Sequence, residues 1–174
     1  SCNKMIRLLF PNIEELKQLQ YEAVKSYVAD IMRKEQRKDF YQKVIDLPGF
    51  ESYDKEYDFR HDTFDWLKQF VLADCSTLAS WVANCPKLLK FVDRQETYNS
   101  YALFEKMNLK VCPYCEHEFL DVVEVMQGTQ TKRTIEFDHF YPKGSDGYPA
   151  LAMCFYNLIP SCKSCNQLKM TNPV

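Results

Sequence analysis

The chain has 174 residues, of which 46% are hydrophobic, and carries a formal net charge of -2. That length and apolar content allow one good core or two small ones, and no apolar run approaches the roughly 18 residues a membrane-spanning helix needs. The opening SCNKMIRLLFPN lacks the apolar region and small-residue cleavage site of a secretory signal, so a cytoplasmic address, away from membranes, is expected.

Neither the first 99 residues nor the remainder is basic overall. A protein that held the phosphate backbone unaided would show a basic patch, because counterion release supplies most sequence-independent affinity. Strong stand-alone DNA binding is therefore disfavoured; cleavage is not, since a bound cation or a partner can add positive charge where a phosphate sits. Of the 8 cysteines, Cys112, Cys115, Cys162 and Cys165 stand in metal-knuckle spacing. Cys2, Cys75, Cys85 and Cys154 are scattered in apolar surroundings and are expected to pack as free thiols rather than as a disulfide framework.

In chain order, Asn12 with Glu15 three residues on marks a helix start, and Ile13, Leu16, Ala23, Val24, Tyr27 and Ile31 recur on one face. The pattern predicts one helix over 12–38. Its end carries Arg33, Lys34, Arg37 and Lys38, which suit the negative end of a helix dipole and a solvated face, with a phosphate-contact patch as the alternative. Residues 46–62 contain Pro48-Gly49 and read as a turn and an acidic, aromatic connection. His61, without a nearby ligand partner, is expected at the surface. Asp62 or Thr63 is placed as the cap of a second helix, followed by apolar stripes at Leu78, Trp81 and Val82, a further helix after Pro86, and Tyr101 to Met107. Nothing in residues 1–105 carries a chemical signature. This part is read as a helical support or partner-docking domain, with a seam near Tyr98-Asn99-Ser100.

The chemistry begins at Cys112-Pro-Tyr-Cys115 and returns at Cys162-Lys-Ser-Cys165. Two such thiolate pairs can surround one Zn2+ tetrahedrally with no open position, so they predict a structural site. Residues 119–126 and 132–138 are β-branched and partly alternating around Gly128 and predict a hairpin. The second strand delivers Asp138-His139, a hard oxygen ligand beside an imidazole, as metal-assisted attack of water on a phosphodiester requires. Strand alternation sends the two side chains to opposite faces, so a bend or strand end near Asp138 is expected. A loop with Gly144, Gly147 and Pro149 follows, then the apolar segment ALAMCFY and a short helix from about Ser164, ended by Asn172-Pro173.

CPYC, IEFDHFYPK and YNLIPSCKSCNQLK, in that order, resemble the HNH endonucleases with a ββα-metal core, in the subgroup whose two C-x-x-C knuckles hold a structural zinc. The resemblance covers roughly residues 105–172. It implies an α+β chain: a mainly helical part, 1–105, followed by a zinc-stapled HNH module, 106–174. It implies that His139 is the general base, that Asp138 binds the catalytic Mg2+ or Mn2+, that Asn157 holds the loop and orients the base, and that Asn166 takes the third motif position. An amide oxygen there is a neutral, hard ligand suited to those ions. Lys169 and Lys143 are candidate phosphate contacts, Glu136 a candidate for the metal shell, and His117 a structural or surface residue.

The implied activity is metal-dependent hydrolysis of nucleic-acid phosphodiester bonds, DNA more than RNA. On the cysteines alone, a non-catalytic zinc-stapled module that binds nucleic acid or protein is the alternative. Small chains joining a helical region to this core resemble nuclease components of bacterial restriction and phage-defence systems, often beside an ATPase partner. Beginning at Ser1 and stopping just past the motif helix, the sequence is also read as open to further residues on either side.

Overall fold

The computed structural model describes residues 10–91, 101–120, 135–144 and 146–171. The expected first strand over 119–126 and its Gly128 connection fall largely outside these residues, as do the seam at Tyr98-Asn99-Ser100, Cys2 and the Asn172-Pro173 terminator.

The expected long first helix is two helices. Helix α1 (Ile13–Ser26) buries Leu16, Gln20, Tyr21 and Val24, widens into a π turn over Tyr27–Ile31, and stops where Met32 turns extended. The backbone of Arg33, also extended, donates to Gln36 Oε1 at 3.1 Å, and α2 (Lys34–Ile45) begins there. The wider π turn shifts the apolar stripe, which leaves Ile31, its last residue, 58% exposed. The break also moves the basic cluster. Arg33 and Lys34 lie at the start of α2, the wrong end for a favourable dipole interaction. Arg37 instead lies over the rings of Tyr57, Phe59 and Phe64, at 5.8, 5.0 and 5.7 Å. The acidic, aromatic connection thus packs on α2.

Helices α3 (Asp65–Val71) and α4 (Cys75–Asn84) complete the helical half. Their aromatic residues meet α2 edge to face, with Phe40 and Trp66 centroids 5.6 Å apart, and Phe70 stacks on Trp81 at 5.9 Å. After Pro86 the described residues form a 3-10 turn, Leu88–Lys90, in place of the expected helix. Cys75 is disulfide-bonded, against the expectation of a free thiol, because sequence spacing does not report which sulfurs a fold brings together. Cys85 and Cys154 are free.

Helix α5 (Tyr101–Met107) leads to the second half. Asn12 ties α1 to it by donating to Lys106 O at 3.2 Å instead of capping its own helix. Strand β1 (Ile135–His139) pairs antiparallel with β2 (Leu158–Cys162), from Ile135 opposite Cys162 to His139 opposite Leu158. The partner of β1 within the described residues is thus a strand that sequence patterning missed, since Pro160 within LIPSC argues against one. Between the strands run two 3-10 turns, Pro149–Met153 and Phe155–Asn157, and α6 (Lys163–Thr171) follows β2 directly. Leu103, Met107, Leu151 and Phe155 join the same core as the helical half, and fully buried Gln20 of α1 donates to Met153 O at 2.7 Å. Among the described residues no helix is long and apolar enough to cross a membrane.

Candidate functional site

The first knuckle is built from a tight turn, in which Glu116 N donates to Cys112 O at 2.9 Å and Glu116 itself takes a left-handed φ of 55°. The second sits at the junction of β2 and α6, so Cys162 ends a strand and Cys165 lies in the first turn of a helix. The four sulfurs of Cys112, Cys115, Cys162 and Cys165 lie within 4.8 Å of one another. Tetrahedral zinc with Zn–S bonds of about 2.3 Å needs sulfurs about 3.8 Å apart, so a small contraction closes the set around the ion. Backbone N–H groups already point at the sulfurs. Cys162 N lies 3.4 Å from Cys112 Sγ and Cys165 N 3.4 Å from Cys162 Sγ, while the N–H groups of Glu118 and His117 hold the Cys115 thiol down to about 7. Burial pushes Cys162 and Cys165 the other way. A bound cation would favour the thiolate of each. Phe104, Leu120 and Ile135 wrap the cluster in an apolar shell. His117 is exposed and its ring bonds to the Cys115 carbonyl; His61 is likewise exposed, against Asp58.

Strand β1 points its side chains two ways. Phe137 stacks on Phe104 of α5 at 4.0 Å, while Glu136 and Asp138 meet α6. Asn166 Nδ2 donates to Glu136 Oε2 at 2.7 Å, and one turn on Lys169 Nζ reaches Asp138 Oδ2 at 2.6 Å. The matched intervals, three residues on the helix and two on the strand, lay α6 along this face. Asp138 is buried, and its Oδ2 also accepts from the Tyr114 hydroxyl at 2.6 Å. Both bonds fall on one oxygen; Oδ1 takes none from a described residue. Lys169 Nζ sits 5.8 Å from the Tyr114 ring centre and 5.3 Å from that of Phe140. Tyr114, within the first knuckle, has its hydroxyl pKa raised by burial and then by Asp138, which keeps it a donor.

His139 closes β1 opposite Leu158. Burial lowers its pKa to about 4, helped by Lys143 and opposed by Asp138, and its ring bonds to the backbone of Ala152. That bond favours the protonated imidazole, as a carbonyl acceptor does. The ring is therefore neutral near pH 7 and held from one side. Asn157 is fully buried and fixes the chain just beyond it: its Oδ1 accepts from Tyr141 N at 2.7 Å, and its Nδ2 donates to Tyr141 O at 3.2 Å and Leu151 O at 3.0 Å. Phe140 N donates to Asn157 O at 3.0 Å. The loop then turns at Gly147, where a Cβ would lie 1.9 Å from Pro142 O, so only glycine fits. Lys90 of the helical half holds that turn through Gly147 O at 2.6 Å.

Sequence reading missed Tyr114 and the Ala152 backbone. Neither has a local signal, except that Tyr114 lies between two cysteines of the four-sulfur cluster and so shares their position.

Over 75 residues, 43% of its length, the chain is 41% identical to the Septu protein PtuB of Bacillus thuringiensis. The matched stretch spans 24% of that protein, about a quarter. No family model and no solved structure matches the chain.

Proposed function

We propose that the chain is a metal-dependent HNH-type endonuclease that hydrolyses nucleic-acid phosphodiester bonds, DNA in preference to RNA. The observation that carries this reading is the pairing at the end of β1: the half-buried imidazole of His139 stands next in the chain to the buried carboxylate of Asp138, whose Oδ1 takes no bond from a described residue. His139, with one ring nitrogen engaged, offers the other to a proton of the attacking water. Asp138 Oδ1 and the amide oxygen of Asn166, whose nitrogen is turned to Glu136, form a hard donor set that fits Mg2+ or Mn2+. Bound there, such an ion supplies Lewis-acid stabilisation of the charge that grows on the phosphate and the leaving oxygen. Asn157 keeps the loop after His139 in place, and Lys169 and Lys143 are phosphate contacts. The cysteine cluster holds structural Zn2+.

We place this activity in a bacterial restriction or phage-defence system, beside an ATPase partner. The resemblance of the motif region to such nucleases supports the placement, as does the partial likeness to a Septu protein.

Nicking of supercoiled plasmid by the chain and by His139→Ala, with Mg2+, Mn2+ or EDTA, tests the reading. Metal-dependent nicking is expected from the native chain, with a loss of at least about 100-fold in the variant while zinc and fold persist. No cleavage of DNA or RNA by the native chain, alone or with its partner, would favour the non-catalytic zinc-stapled binding module instead.

A further inference from the structure

We propose that Tyr114 is a positioning residue that joins the zinc knuckle to the catalytic carboxylate, fixing Asp138 through Oδ2 so that Oδ1 is left for the catalytic cation. The inference rests on the endonuclease reading and deepens it. The geometry that carries it is the convergence of two donors on a single oxygen, Tyr114 Oη and Lys169 Nζ, each at 2.6 Å. A carboxylate has about four lone-pair sites on two oxygens and rotates unless something holds it. Here one oxygen is held twice while the other receives no bond from a described residue.

The two donors differ in how firmly they are themselves fixed. Lys169 approaches on a long, rotatable stem from α6, whereas Tyr114 is the third residue of Cys112-Pro113-Tyr114-Cys115. A closed zinc site clamps the backbone on both sides of that tyrosine. Its hydroxyl is thereby aimed by the cysteines, and the structural site becomes the rigid support of a metal-binding carboxylate 24 residues away in sequence. Outer partners of this kind set the orientation and basicity of a ligand, and their removal costs about 10- to 100-fold in metal affinity. The knuckle then contributes to catalysis as well as to folding, because loss of zinc would free Tyr114 and with it Asp138.

Tyr114→Phe separates this role from a packing role, since the ring and its contact with Lys169 remain and only the hydroxyl is lost. Mn2+ binding to the full chain, followed by electron paramagnetic resonance in zinc-loaded protein, gives a readout independent of turnover, with Asp138→Asn identifying the relevant site. The expected result for Tyr114→Phe is stoichiometric zinc, an unchanged melting temperature and Mn2+ affinity weakened by about tenfold or more. Cleavage should show the same split: a higher Mn2+ requirement, with the rate at saturating Mn2+ largely restored. Unchanged Mn2+ affinity in Tyr114→Phe, beside a clear loss in Asp138→Asn, would overturn the inference and leave the endonuclease reading standing. Loss of zinc from Tyr114→Phe would make the residue a fold element and overturn it too. Absence of any Asp138-dependent Mn2+ site in the native chain would sink both.

Discussion

Asn157 has no accessible surface, yet all three hydrogen-bonding functions of its side chain that a neutral amide can place here are used on backbone. Replacing it with Ala would strand the Tyr141 N–H and the Tyr141 carbonyl, while the Leu151 carbonyl keeps its bond from Cys154 N. Each stranded group costs about 1–3 kcal/mol before relaxation, so Asn157→Ala is expected to lower unfolding free energy by about 2–4 kcal/mol, measured by urea melts. Asn157→Asp should be worse. It keeps the acceptor for Tyr141 N but loses both donors and sets a negative charge against two carbonyls. An Asp variant as stable as the native chain would show that the loop after His139 has another support. The resemblance in sequence singles out Asn157; its partners are not legible there. They lie 16 and 6 residues away and depend on a 3-10 turn that apolar patterning does not announce.

Among elements, the second knuckle is the junction on which the candidate site turns. Cys162 ends β2 and Cys165 opens α6, so the cluster staples the strand opposite β1 to the helix that carries Asn166 and Lys169. Cys162→Ser is therefore expected to release zinc and to unmake the β1–β2–α6 packing while the aromatic core of α2, α3 and α4 persists. Zinc content and hydrogen exchange over residues 135–171 check this. Full zinc retention with native protection would refute the four-cysteine site. Helix α4 offers a pH test at the same scale. Asp74 caps it, accepting from Thr77 N at 2.8 Å, and this bond holds its carboxyl below the ordinary carboxylate value. A depressed carboxyl stabilises the fold above its unfolded pKa and loses that contribution as pH falls through the folded value. Asp74→Ala should cost about 1 kcal/mol at pH 7, with the difference from the native chain shrinking below pH 4; Asp74→Asn should keep most of the cap and be less sensitive to acid. Element content was uneven in its legibility. Knuckle spacing, α5 and α6 followed from pattern, whereas β2 was hidden by Pro160 and the break between α1 and α2 by an apolar stripe that runs right up to it, at Ile31.

For the whole molecule, the two halves share one core but divide the chemistry unequally. The helical residues support the site through Gln20 to Met153 and Lys90 to Gly147, and the described ones otherwise bring together no metal-ligating cluster. With a net charge of -2, the chain has no overall excess of cations to hold a phosphate backbone. Lys143 and Lys163 are exposed, and with Lys169 they give about three phosphate contacts. Each contact contributes about 0.9 to the slope of log affinity against log salt, so duplex DNA binding by the chain alone should be weak, with a slope no steeper than about -3. If residues 1–105 dock an ATPase that supplies the missing basic surface, the complex should bind tighter and show a slope steeper by roughly one unit for each added contact. Fluorescence anisotropy on a short duplex across a salt series, with and without the partner recovered by pull-down from the native host, measures both. A slope of -6 or steeper for the chain alone would mean that it carries its own backbone-binding surface. An unchanged slope in the presence of the ATPase, or a pull-down that recovers none, would remove the reason to assign the helical half a docking role.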